Sequence, residues 1–153
     1  MDNQDPHHLL DQFLQSNGLK TTKQRRLIFD TLMSQNSHVS IEELFRIVQL
    51  ENAKVGVATV YRTMNLLVQA GLALEHHFED GLSRFEYALG VEHHDHLICN
   101  TCGHIFEFEN DEIENLQHKI AESYGLTITS HMLNIYGNCK SPQNCTHRQN
   151  QGL

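Results

Sequence analysis

Residues 93–103 read HHDHLICNTCG, so four possible metal ligands stand directly before a Cys-x-x-Cys pair. In a β-strand, successive side chains point to opposite faces. If this stretch is a strand, His94 and His96 face one side, and His93 and Asp95 face the other. One short strand therefore supplies ligands to two separate metal sites. Zinc and iron both accept imidazole, carboxylate and thiolate ligands.

A second cysteine pair, Cys139 and Cys145, follows the first pair, Cys99 and Cys102. Two such pairs indicate a closed tetrahedral zinc site with four thiolate ligands. A disulfide or buried free thiols are the alternatives. A Cys-x-x-Cys pair in a chain that looks intracellular is usually a metal or redox site, which favours zinc.

The composition excludes few functions, because the distribution of charge matters more than its sum. The formal charge of the 153 residues is −8, yet residues 12–29 hold four cations and no acid. DNA binding therefore remains open. No run of about 18 apolar residues occurs, and the polar N-terminus lacks a signal-peptide pattern. We therefore expect a cytoplasmic protein with no membrane partner. The twelve histidines are a further indication of metal binding.

The first half of the chain carries start and stop signals for four helices and a β-hairpin. The first three helices are predicted to start at Asp5-Pro6, at Thr21 or Thr22, and at a capping box of Ser40 and Glu43. A fourth helix over residues 58–70 is predicted to stop at Gly71. Asp80-Gly81 is the turn signal between predicted strands 72–79 and 83–87. Helices followed by a hairpin are typical of a winged helix-turn-helix, with the fourth helix in the recognition position. This domain spans residues 1–87.

Residues 88–92 are predicted to form a hinge, after which the pattern changes to strand, helix and strand. The predicted elements are strands 94–99 and 105–109, helix 111–124 and a long strand over 126–136. This second domain spans residues 93–147, and the polar tail 148–153 is predicted to be disordered. The predicted fold class is α+β, with a winged helix-turn-helix domain followed by a small α/β domain.

Several motifs occur together, in an order that is highly specific: VATVYR at residues 57–62, the stretch 93–103, His131, Tyr136-Gly137 and Cys139. Through them the chain resembles the ferric uptake regulator (Fur) family of metal-dependent bacterial repressors over roughly residues 9–147. The resemblance implies an N-terminal DNA-binding domain and a C-terminal dimerisation domain. It also implies a homodimer or a tetramer, and a regulator rather than an enzyme.

The resemblance further implies three metal sites. The regulatory site consists of His38, Glu86, His94, His96 and, in some members, Glu107. The second site consists of His93, Asp95, Glu114 and His131, and the structural Zn(II) site of Cys99, Cys102, Cys139 and Cys145. Two features depart from the family pattern: the second pair is spaced C-x5-C, and one extra residue separates Glu86 from the histidine cluster.

Most of these ligands have an ordinary alternative. His38 is otherwise a solvated loop histidine, Glu86 and Glu107 surface residues of strands, Glu114 the partner of Asp111 in a capping box, and His131 a core histidine. The remaining histidines without a named partner are expected at the surface: His76, His77, His104, His118 and His147.

Residues for DNA binding are expected on the fourth helix and around the start of the second: Lys20, Arg25, Thr59, Tyr61 and Arg62. Thr59 and Arg62 face away from the apolar stripe of their helix. Arg62 can reach a guanine edge or a phosphate, Tyr61 can pack on thymine methyls, and Lys20 can enter an A·T-rich minor groove. Lys23, Arg25 and Arg26 are assigned to phosphates. The alternatives are a surface salt bridge for Arg62, a half-buried ring for Tyr61 and an intrahelical ion pair for Arg25.

The resulting hypothesis is a repressor of metal-uptake genes in which a bound metal orders the dimer for a palindromic, A·T-rich DNA operator. Fe(II) is the expected regulatory ion, with Mn(II), Co(II) or Zn(II) as substitutes. A peroxide sensor of the same family, which tends to carry aspartate where this chain has Glu86, and a Zn or Mn sensor are the alternatives. A metalloenzyme is disfavoured because no H-E-x-x-H or G-x-S-x-G motif occurs. A metal-storage protein would leave the winged helix unexplained.

Overall fold

A computed structural model describes residues 5–35, 37–79, 81–90 and 93–144. The chain forms two compact units, residues 1–91 and 92–153. The described part contains five α-helices and two small sheets, so the predicted α+β class is confirmed. Within it, no helix combines the length and the apolar character that crossing a bilayer requires.

The first unit contains four helices, of which three begin at the predicted caps. They are α1 (Pro6–Ser16), α2 (Lys23–Met33), α3 (Ile41–Glu51) and α4 (Val57–Gln69). Asp5 accepts a hydrogen bond from the N–H of His7 at 3.0 Å, and Thr22 accepts one from Arg25 at 3.2 Å. Ser40 and Glu43 form the predicted capping box. Side-chain oxygens here satisfy helix N–H groups that have no partner within the helix.

The wing of the first unit is an antiparallel hairpin of β1 (Ala73–His77) and β2 (Ser83–Tyr87). The first strand ends earlier than the predicted residue 79. Phe85 on β2 is buried in the core. Its N–H donates to the carbonyl of Val39 at 2.8 Å, and the N–H of Val39 donates back at 2.9 Å. This bridge joins the wing to the segment before α3 and thereby sets His38 beside Glu86.

The second unit is a three-stranded sheet with one long helix. Its elements are β3 (Asp95–Cys99), β4 (Ile105–Phe108), α5 (Asp111–Ser123), β5 (Asn134–Gly137) and a 3-10 turn at Pro142–Asn144. The strand order is β4-β3-β5, with β4 antiparallel and β5 parallel to β3. The predicted strand over 126–136 is wrong for residues 126–133, because β5 pairs with β3 only from Asn134 onward. The predicted tail and part of the predicted hinge lie outside the described residues.

Candidate metal centres and DNA-contacting helix

The four predicted ligands of the second site come together within the second unit. His93 precedes β3, Asp95 begins it, Glu114 lies in the first turns of α5 and His131 precedes β5. One possible ligand atom of each residue lies within 4.8 Å of those of the other three. The sheet and the start of one helix therefore bring two imidazoles and two carboxylates to one point.

The spacing of these atoms fits a bound ion. Four ligands at about 2.1 Å from a tetrahedral zinc ion lie roughly 3.4 Å from one another. Nε2 of His93 lies 3.4 Å from Oδ1 of Asp95 and 3.7 Å from Oε1 of Glu114. Nε2 of His131 lies 3.7 Å from the same Asp95 atom and 3.1 Å from the same Glu114 atom. This donor set suits zinc, iron and manganese.

The carboxylate of Asp95 gives independent support. Asp95 is 2% exposed, and its Oδ1 accepts no hydrogen bond from the described residues. Burying a carboxylate oxygen without a hydrogen bond is costly. A dication between Asp95 and the two imidazoles offsets that cost, so the residues present fit a metal ion.

The ordinary alternatives, a capping-box partner for Glu114 and a core histidine for His131, are both wrong. Asn110, rather than Asp111, caps α5, and its Oδ1 accepts hydrogen bonds from two backbone N–H groups of the first turn at 2.9 and 3.1 Å. Glu114 is therefore not the acid of a capping box with Asp111. His131 is half-buried beside Glu114 rather than packed in a core.

The first unit holds two of the predicted regulatory ligands, His38 and Glu86. Nε2 of His38 lies 3.5 Å from Oε2 of Glu86. The side chain of His38 is 2% exposed and Glu86 is buried. The alternatives of a solvated loop histidine and a surface glutamate are therefore wrong.

His76 joins this pair, although we expected it at the surface. It is buried, and its Nε2 lies 2.8 Å from Oε1 of Glu86. Its ring centroid lies 4.9 Å from that of His38. The hairpin signal in the sequence places both His76 and His77 on the strand opposite Glu86, but it does not show which of the two faces the carboxylate. Of the other histidines expected at the surface, His77 and His118 are exposed, His104 is half-buried, and His147 lies outside the described residues.

The second unit holds the other three predicted regulatory ligands. His96 lies opposite Glu107 in the ladder between β3 and β4, and Nε2 of His94 lies 4.0 Å from Oε1 of Glu107. The ring centroids of His94 and His96 lie 5.0 Å apart. Nδ1 of His96 lies 3.2 Å from the amide oxygen of Asn134. Because an amide oxygen only accepts, Nδ1 of His96 is the donor in this bond, which fixes the orientation of the ring.

Three of the four predicted zinc ligands belong to two chain segments that meet at the turn after β3. Cys99 ends β3 and is in register with Gly137 on β5, two residues before Cys139. The N–H of Cys139 donates to Oγ1 of Thr101 at 3.0 Å, which ties the second cysteine segment to the turn that contains Cys102. Cys145 lies outside the described residues.

The thiol of Cys99 has a lowered pKa, which favours the thiolate form. Burial raises its pKa, but hydrogen bonds from the backbone and side chains of Cys102 and Thr101 outweigh burial, so the pKa lies below its usual value. The thiolate is the form that binds zinc. Among the described residues, no disulfide joins Cys99, Cys102 or Cys139 to another cysteine.

Helix α4 presents the predicted DNA-contacting residues on its outer side. Tyr61 is 55% exposed, Arg62 is exposed and Thr59 is half-buried. Nε of Arg62 donates to the carbonyl of Ala58 at 3.0 Å. The guanidinium therefore lies against the preceding turn of its own helix.

The cations around α2 are partly engaged within the protein. Lys20 is exposed. Arg25 donates a hydrogen bond to the backbone carbonyl of Lys20. This bond is neither a phosphate contact nor the intrahelical ion pair named as the alternative. Arg26 forms an ion pair with Asp11 at 2.6 Å. The assignment of Arg26 to phosphates stays a prediction, and this exposed ion pair would have to open for that contact.

Comparisons with known proteins agree with these features. The model of the ferric uptake regulator family matches residues 16–136. The ferric uptake regulation protein of Neisseria meningitidis is 44% identical over 131 residues, which are 85% of this chain and 90% of that protein.

Two solved structures resemble most of the chain. The ferric uptake regulator of Vibrio cholerae superposes with a TM-score of 0.73 at 41% identity, covering 84% of this chain and 98% of that one. The ferric uptake regulator of Helicobacter pylori, described as having three functional metal binding sites, gives 0.83 at 30% identity, covering 94% and 97%. From its sequence, its fold and these similarities, the chain belongs to the ferric uptake regulator family of metal-responsive, DNA-binding transcriptional regulators.

Proposed function

We propose that this chain represses metal-uptake genes in response to Fe(II), as a homodimer on palindromic, A·T-rich DNA in the cytoplasm. The observation that carries the proposal is the distribution of ligand-type side chains over the two units. His38 and Glu86 belong to the unit with the winged helix, whereas His94, His96 and Glu107 belong to the other.

One regulatory ion that takes ligands from both sets couples the DNA-binding unit to the dimerisation unit. The ion supplies the positive charge that draws these imidazoles and carboxylates together. Glu86 is fixed on the wing by the bridge between Val39 and Phe85, and His38 by the same bridge. Without the ion, the two recognition helices of a dimer sample many separations. With the ion, they stand about one helical turn of DNA apart, as a palindromic operator requires.

The remaining two sites support this switch. We assign the cluster of His93, Asp95, Glu114 and His131 to a second ion that stiffens the dimerisation unit. We assign Cys99, Cys102, Cys139 and Cys145 to a structural zinc ion, because the segments that carry three of these cysteines meet at one turn and the Cys99 pKa is lowered.

The choice of Fe(II) rests on the donor set. Neutral imidazoles mixed with carboxylates and without a thiolate suit Fe(II) and Mn(II), and affinity order alone does not select among the divalent metals. Glu86, one methylene longer than aspartate, favours an iron corepressor over a peroxide sensor. Mn(II) is the practical substitute in vitro because it does not undergo peroxide chemistry as readily as Fe(II).

The second unit has a surface suited to a second copy of the chain. Helix α5 has no buried residue within one chain: Leu116 is 58% and Ile120 53% exposed on its apolar side. Ile135, on the edge strand β5, is 41% exposed. Large contiguous apolar patches commonly mark interfaces, and in a homodimer with two-fold symmetry the same surface of both copies is covered.

The test is a gel shift of the full-length, zinc-loaded protein on a palindromic A·T-rich duplex. Binding should be strong with Mn(II) and weak without it, and His38→Ala should remove the metal dependence. His118→Ala, a change of an exposed histidine remote from the ligand sets, is the matched control and should behave as wild type.

Metal and DNA binding should also be reciprocal: the duplex should raise the affinity for Mn(II) by the same factor by which Mn(II) raises the affinity for the duplex. Equal DNA binding with and without metal contradicts the proposal. If the protein binds no DNA but hydrolyses a substrate, it is a metalloenzyme. If it binds no DNA but holds many metal ions per chain, it is a metal-storage protein.

A further inference from the structure

The bond between His76 and Glu86 joins the two strands of the wing. His76 pairs with Arg84 in the hairpin, so Glu86 is its diagonal neighbour on the same face. Nε2 of His76 lies 2.8 Å from Oε1 of Glu86, and both side chains are buried. The ring of Phe78, which directly follows β1, stacks on His76 with an interplanar angle of 17° and a centroid distance of 6.1 Å. The imidazole is therefore held in one orientation.

The chemistry of the bond decides which atom carries the hydrogen. An ionised carboxylate can only accept, so Nε2 of His76 is the donor. That nitrogen then has no lone pair for a metal. The other oxygen of Glu86, Oε2, faces Nε2 of His38 at 3.5 Å. The two oxygens of Glu86 are thus directed to two different imidazoles.

We propose that His76 is a positioning residue that holds Glu86 so that the carboxylate binds the regulatory metal through Oε2 alone. This inference rests on the proposed role of Glu86 as a regulatory ligand. A carboxylate with one oxygen engaged by a hydrogen bond binds a metal through the other oxygen, whereas an unconstrained carboxylate can supply both. His76 therefore limits the coordination number of the ion, and hydrogen bonds to ligands commonly have this orienting role.

The test compares two substitutions at this position with Co(II) as the probe. His76→Leu keeps an apolar side chain of similar size but has no donor. His76→Gln keeps an N–H that can reach Oε1 of Glu86. Both are made in a full-length, zinc-loaded His131→Ala background, which removes a ligand of the second site. His77→Leu is the matched control, because His77 is the next residue, its side chain is 74% exposed, and its ring bonds Ser83 instead.

His76→Leu should weaken Co(II) binding by about 10–100-fold, as for other groups that orient a metal ligand. The visible absorption of bound Co(II) should also weaken, because intensity falls as the coordination number rises when both oxygens of Glu86 bind. His76→Gln should restore both affinity and spectrum, and His77→Leu should match its parent. Circular dichroism and zinc content verify that each variant is folded.

Two results overturn the inference. An unchanged affinity and spectrum in His76→Leu means that His76 does not position Glu86. Equal losses in His76→Leu and His76→Gln mean that His76 is itself a ligand or only a structural residue. Glu86→Gln separates these results from the underlying proposal. If Glu86→Gln binds Co(II) like its parent, Glu86 is not a regulatory ligand. If Glu86→Gln binds Co(II) more weakly while His76→Leu binds it normally, only the positioning role of His76 is rejected.

Discussion

Asp95→Asn distinguishes a metal ligand from an ordinary buried polar residue, because the two roles predict opposite changes in stability. The carboxylate is 2% exposed, and its Oδ1 lies 3.4 Å from Nε2 of His93 and 3.7 Å from Nε2 of His131 without a hydrogen bond from the described residues. Asparagine keeps the shape and removes the charge. With the second site empty, the variant should therefore be at least as stable as wild type.

With metal present, the order reverses. Groups that only orient a ligand are worth about 10–100-fold in metal affinity, so we take about 100-fold for a direct ligand. At a Mn(II) concentration about 100 times the wild-type Kd, binding stabilises the folded state by about 2.7 kcal/mol, whereas a variant with 100-fold weaker binding gains about 0.4 kcal/mol. The difference of about 2.3 kcal/mol corresponds to roughly 9–18 °C in Tm for a unit of this size.

Thermal unfolding followed by circular dichroism, with and without Mn(II), measures both effects on protein whose zinc content has been verified. Glu122→Gln removes the same charge from an exposed position of α5 and should keep the full gain from Mn(II). If Asp95→Asn instead destabilises the metal-free protein by more than about 1 kcal/mol and keeps the gain from Mn(II), the residue is a structural hydrogen-bonding group and the second metal site is wrong.

Three further predictions concern the other sites. Cys99→Ser should release zinc and unfold or monomerise the second unit, because metal binding there is part of the folding free energy; elemental analysis that finds no zinc in reduced wild-type protein rejects this. Arg62→Ala should weaken operator binding by about 1–3 kcal/mol with unchanged metal content, and unaltered gel shifts would remove Arg62 from the interface. The iron-loaded protein should gain no oxygen on His38 or His94 after modest peroxide exposure. A gain of one oxygen atom by mass spectrometry would instead identify a peroxide sensor.

Features that depend on neighbouring residues were predictable from the sequence. The starts of α1, α2 and α3 follow from caps at Asp5, Thr22 and Ser40, each of which bonds an N–H two or three residues later. Strand alternation likewise predicted that His93 and Asp95 point to the same side, and both join one ligand cluster although His93 precedes β3. These contacts are short in sequence, so no knowledge of the tertiary structure was needed.

Features that depend on a distant partner were not predictable in the same way. Residues 126–133 are rich enough in apolar and β-branched side chains to suggest a strand, but β3 pairs with β5 only from His96 to Cys99, opposite Asn134 to Gly137. A strand ends where its partner ends. The placement of Glu114 and His131 beside Asp95 was likewise implied by the family resemblance and not by any local pattern.

The sequence could not show which of the adjacent histidines His76 and His77 faces Glu86, because the answer depends on the register of the wing. The Asp80-Gly81 signal favours a two-residue turn, which would pair His77 with Arg84 and so put His77 on the face of Glu86. The observed register instead pairs His77 with Ser83 and His76 with Arg84. A shift of one residue exchanges the two faces of a strand, and here it exchanges which of two adjacent histidines is buried against the carboxylate. A residue that orients a metal ligand from across a hairpin is therefore identified only when the pairing register is known.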